Sequence, residues 1–222
     1  ARRTIREGLK SVADIERLAG RISMGYATAR DLNALKDSIF SLPGIVRELQ
    51  HFTAELLQWD ASLMPPLLEA AELIDRAIVD DPPPAVNEGG MIRRGYHPEL
   101  DELIQISTEG KGFLAALETR EREITGIGSL KVRYNRVFGY YIEVSKASAK
   151  LVPPHYVRKQ TLVNAERYIT DDLKTFETKV LGAEERRCAL EYELCCDIRS
   201  EVLKSSAALM RAARFVANLD VL

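Results

Sequence analysis

Apolar residues recur at three- and four-residue intervals along most of the chain. Ile15, Leu18 and Ile22 share one helical face behind Ser11-Val12-Ala13-Asp14, a run suited to capping a helix start. Leu32, Leu35 and Ile39 follow Thr28 at the same spacing. Pro43-Gly44 reads as a turn into a third helix bearing Ile45, Leu49, Phe52 and Leu56. Pro65-Pro66 suits the first turn of a fourth, with Leu67, Leu68, Ala71 and Ile74 on its apolar side. Stripes of this width mean helices packed on a core, and they carry no chemistry.

Between Asp80 and Tyr96 the pattern lapses, where three prolines and three glycines exclude a regular element. A long helix then spans His97 to about Ile127, with Leu100, Leu103, Ser107, Leu114, Leu117 and Ile124 near three-four spacing. Gly110-Lys111-Gly112 interrupts it without making a phosphate loop, because Gln105 stands where the first glycine is needed and no Ser or Thr follows the lysine. Two glycines cost a helix roughly 2 kcal/mol against alanine, so a bend or a flexible point is expected there. A second long helix starts at Thr170-Asp171-Asp172 and keeps near-heptad spacing through Leu173, Phe176, Val180, Leu190, Leu194, Ile198 and Val202. No proline interrupts it before Leu222. At 1.5 Å per residue, Asp171 to Leu203 alone would extend about 50 Å.

Between these helices, Ser129 to Tyr168 switches to strand-like alternation. Lys131 to Tyr134 and Tyr141 to Val144 alternate around a hairpin break at Phe138-Gly139, and a second pair follows near Tyr156–Leu162 and Ala165–Ile169. The expected fold class is mainly α with a small antiparallel β insertion. The long helices run antiparallel, the β-island forms their tip, and the N-terminal helices form the base.

Charge separates the island from the rest. The chain's net charge is -2, which excludes a surface built throughout as a nucleic-acid sleeve. The island itself holds eight bases (Lys131, Arg133, Arg136, Lys146, Lys150, Arg158, Lys159, Arg167) against two acids, Glu143 and Glu166. Strand cations can simply solvate a sheet edge. Here they gather in and beside turns that also carry Asn135 and Asn164, whose amides donate readily to phosphate oxygens. Tyr134, Tyr140, Tyr141, Tyr156 and Tyr168 suit the core of a thin sheet better than base stacking. A structural coiled-coil module whose tip grips a protein partner is the competing reading.

Other chemistry is excluded. Cys188, Cys195 and Cys196 lie on one helical pattern without a second ligand cluster, so they read as reduced thiols of a cytoplasmic protein rather than zinc ligands or disulfides. His155 has no Cys or carboxylate near it in sequence, and nothing pairs a nucleophile with a base, so no catalytic site and no cofactor are expected. No uncharged apolar run approaches the roughly 20 residues that span a bilayer. The opening Ala-Arg-Arg-Thr-Ile-Arg reads as the start of an excised piece of a longer protein.

Long stretches carry a resemblance: YNRVFGYYIEVSK (Tyr134–Lys146), VPPHYVRKQTLVNAERYIT (Val152–Thr170), LKTFETKVLGAEER (Leu173–Arg186), VADIERLAGRISMGYATARDL (Val12–Leu32) and PPPAVNEGGMIRRGYHPELD (Pro82–Asp101). In order and over nearly the whole chain, these resemble the MutS family of bacterial DNA mismatch-repair proteins. The resemblance implies a helical core at 1–95, an ascending lever helix at 96–128, a β-rich DNA clamp at 129–169, and a descending lever helix at 170–222 returning to the core. It implies that the clamp holds duplex backbone without sequence preference, with Arg133, Asn135, Arg136, Arg158, Lys159 and Asn164 as DNA-binding candidates. Where some relatives carry lysine before that last asparagine, this chain has Val163, so one phosphate contact is missing or is replaced by Arg158 or Arg133. It further implies a parent that is a homodimer, binds ATP and Mg through a separate P-loop domain, reads mismatched double-stranded DNA through another domain, and works with MutL. These residues hold neither the P-loop nor the Phe-x-Glu mismatch-reading motif, so no activity is expected of them alone.

Overall fold

The computed structural model describes residues 2–84, 88–135, 137 and 139–222, with Lys111 described by its backbone. The chain divides into two units: Ala1–His97 with Cys188–Leu222, and Pro98–Arg187.

In the first unit, α1 (Arg2–Leu9) is followed by α2 (Ile15–Ser23), whose N-terminus is closed by Asp14 accepting the Arg17 N–H at 2.9 Å. Thr28 opens α3 (Ala29–Leu49) with a reciprocal capping box to Asp31. This helix runs through Pro43, so the expected turn there is absent. The reason is one continuous stripe: Leu32, Leu35, Ile39, Leu42, Ile45 and Leu49 are all buried. A proline inside a helix costs about 3 kcal/mol, and burying each such side chain returns about 1.5–3 kcal/mol. Packing wins. Phe52 and Leu56 fall beyond the helix end and are exposed, while Leu57 packs against the cluster of Ile5, Ile45, Leu49 and Leu219.

The expected fourth helix forms as α4 (Met64–Ala77), with proline in its first turn and Leu67, Ala71 and Ile74 buried. The irregular connection behind it is pinned by an Ile78–Ile92 bridge and by Glu191, a fully buried acid. Gly89 (φ 67°) and Gly90 (φ 85°) turn the backbone left-handed. The Gly90 and Met91 N–H groups then donate to the two Glu191 oxygens at 2.9 and 2.7 Å.

In the second unit, α5 (Pro98–Thr125) runs antiparallel to the first part of α6 (Asp171–Leu203). Arg186 meets Glu99 at 2.9 Å, Phe113 stacks on Phe176 with centroids 4.5 Å apart, and Arg120 meets Asp172 at 2.8 Å. The helix runs on unbroken through Gly110 and Gly112. A β-carbon on Gly110 would stand 3.2 Å from both Phe176 Cζ and Val180 Cγ2, so this glycine allows close packing of the two helices. Ile124, expected on the apolar stripe, is exposed, because Ile127 and Leu130 from the following turn fill that part of the core.

The expectation of one helix to Leu222 also fails. The chain leaves α6 through a tight turn at Lys204-Ser205 and resumes as α7 (Ser206–Val221), which packs on α2. The Ser205 hydroxyl donates to the Pro66 carbonyl at 3.1 Å.

Candidate nucleic-acid interface

The sheet comprises β1 (Lys131–Asn135), β2 (Gly139–Ser145), β3 (Val157–Thr161) and β4 (Ala165–Ile169), all antiparallel, in the order β1-β2-β4-β3. Alternation sorts its side chains onto two faces. One face carries Ile142, Val144 and Tyr168, which pack with Tyr156 against Leu117, Ile127, Leu130 and Leu173. The Glu118 carboxylate accepts the Val132 N–H at 2.8 Å, and Arg122 donates to the Leu130 carbonyl at 2.7 Å, tying β1 to α5.

The tyrosines divide by face. Tyr156 donates to buried Glu121 at 2.6 Å; burial and then that bond push its phenol well above the usual tyrosine range. Tyr168 donates to Glu166, and burial first and that bond second push it up to about 12. Tyr141 lies on the opposite face, buried under the Arg167 guanidinium 4.4 Å from its ring centroid. Tyr140 is half-buried and Tyr134 exposed.

On that opposite face Glu143 stands between two arginines, Arg133 at 3.7 Å and Arg167 at 3.5 Å. Arg167 also donates to Gln160 at 2.8 Å. The edge strand β3 carries Arg158, which lies 3.6 Å from Glu166. Lys159 is exposed beside it, at the register shift between Arg158 and Gln160.

The register separates the other candidates. Asn135 pairs with Gly139 at one end of the sheet, and its side-chain oxygen accepts the Val137 N–H at 2.8 Å. Gly139 stands close against α6: it has φ 72°, and a β-carbon there would overlap the Glu177 carboxylate. Arg136 lies outside the described residues. Asn164 sits in the turn between β3 and β4, beside the Ser145–Ala165 pair at the other end, and its carbonyl accepts the Lys146 N–H at 3.1 Å. Six residue steps of β2 put these two turns about 20 Å apart. The described candidates therefore mark two ends and both edge strands of a sheet, rather than one pocket. Among the described residues no group of three or more His, Cys, Asp or Glu could hold a metal ion, and no helix is long and apolar enough to cross a membrane.

Residues 95–186, which hold this sheet and most of its helix pair, match the family model described as MutS family domain IV. Over 219 residues the chain is 52% identical to a protein of Desulfatibacillum aliphaticivorans named DNA mismatch repair protein MutS, covering 98% of this chain and 24% of that protein. Proteins of the same name from Desulfosudis oleivorans and Myxococcus xanthus are 51% and 50% identical, over 100% and 96% of this chain and 26% and 24% of their own lengths. The chain belongs to the MutS family. It spans about a quarter of the length of the curated MutS relatives it matches.

Proposed function

We propose that this chain is the DNA-holding and transmitting part of a MutS-type mismatch-repair protein. The sheet acts as a clamp on duplex backbone, without base readout, and α5 with α6 relates its position to an ATPase elsewhere in the parent. The observation that carries this reading is the eight-to-two excess of bases over acids in the stretch from Ser129 to Tyr168, which holds the sheet and lies within the match to MutS domain IV. Cations and turn amides on strands serve phosphate contacts, whereas base readout needs an array of side chains entering a groove. A stiff antiparallel helix pair suits transmission, because it moves as one body. The parent is then a homodimer on double-stranded DNA, using ATP and Mg for its cycle and MutL as its repair partner.

Fluorescence anisotropy with two duplexes of equal length and unrelated sequence tests the clamp. Equal affinities within about twofold are expected of phosphate-borne binding. A strong preference for one sequence, or binding to neither, contradicts it and favours the protein-gripping module.

A further inference from the structure

The arginines and lysines of the sheet are not used alike. Arg133 and Arg167 flank Glu143, Arg167 also covers Tyr141 and holds Gln160, and Arg158 faces Glu166. Each of these three arginines faces an acid on a neighbouring strand. Lys131 and Lys146 are exposed and make no ion pair among the described residues. Glu143, the acid directly across from Lys131 in the register, is already taken by the two arginines.

Both lysines belong to the end of the sheet that carries the Asn164 turn. Lys131 opens β1 there, and the Lys146 N–H bonds the Asn164 carbonyl just past the end of β2. Three hydroxyls cluster at this end: Ser129 and Ser145 are 3.3 Å apart, and Ser145 and Ser148 3.2 Å apart. Each can turn its proton toward an incoming anion. At the opposite end, Gly139 stands against the Glu177 carboxylate, and Arg136 lies outside the described residues.

We propose that the backbone phosphates of a DNA duplex are held by Lys131 and Lys146, together with the Ser129–Ser145–Ser148 hydroxyls at the same end, while Arg133, Arg158 and Arg167 brace the sheet. This rests on the clamp reading above, and it adds as main contacts two lysines that resemblance had not marked. Lysine suits the task as a mobile point charge on a long stem, able to follow a backbone whose phosphates present no fixed register.

The test measures duplex binding by the full chain against salt concentration, for wild type, Lys131→Gln with Lys146→Gln, and Arg133→Gln with Arg158→Gln. Circular dichroism confirms that each variant keeps its fold. Losing two phosphate contacts should make the slope of log K against log salt shallower by about 1.8 in the lysine variant, equally on every duplex sequence. The arginine variant should keep the wild-type slope. If the arginine variant loses slope and the lysine variant does not, the inference is wrong and the clamp reading stands. Wild-type chain that shows no salt-dependent duplex binding removes both.

Discussion

The Tyr156 hydroxyl donates to Glu121 at 2.6 Å where the sheet meets α5. Glu121 is buried and also meets the Arg120 guanidinium at 3.0 Å, which in turn bonds Asp172 at the start of α6. One short chain of polar contacts thus joins both helices of the pair to the sheet. Tyr156→Phe keeps the ring packing and removes the donor, leaving a buried carboxylate oxygen short of a partner. A loss of about 1–3 kcal/mol is expected, read as a lower urea midpoint.

Two glycines of α5 should respond in opposite directions. Gly112 has open space where a β-carbon would stand, so Gly112→Ala should stabilise the chain by up to about 1 kcal/mol. Gly110 faces Phe176 and Val180, so Gly110→Val forces those side chains aside and should cost about 1–3 kcal/mol. Thermal denaturation of the two variants separates them by sign.

Alkaline pH should loosen the sheet. Tyr168 ionises at about 12 in the folded chain, against 10.0 for a free phenol, and Tyr156 is shifted the same way. Above pH 10 the unfolded chain releases these protons while the folded chain keeps them. The stability they contribute is therefore fully present below pH 10 and lost as pH rises toward 12. Urea midpoints should fall over that interval, and Tyr156→Phe should flatten the fall.

Glu191 fixes the connection behind α4 from a fully buried position. Glu191→Ala leaves the Gly90 and Met91 N–H groups without these acceptors, at about 1–3 kcal/mol for each donor stranded from water. Hydrogen exchange at residues 88–92 should rise by at least tenfold.

Local signals in the sequence located most elements. Asp14 and Thr28 cap the helices they precede, and the switch from helical to two-residue spacing marks the sheet. What was not legible depends on partners distant in sequence. Pro43 reads as a stop until Leu42, Ile45 and Leu49 are seen buried with Leu32 and Leu35. Gly110 reads as a hinge until Phe176 is placed against it. The stop at Lys204-Ser205 carries no Pro or Gly signal. The candidate site was legible as a basic sheet but not as a geometry. Chain order places Asn135 and Asn164 each beside a turn, and only the β2–β4 register shows those turns at opposite ends. The pairing of Arg133 and Arg167 through Glu143 likewise needs the register, since every cation counts equally in a composition.

Hydrogen exchange with and without duplex DNA tests the central claim most directly. The account predicts slowed exchange on DNA at residues 129–131, 145–151 and 162–165, with α1 to α4 unchanged. Protection confined to those helices, with the sheet unaffected, would contradict it.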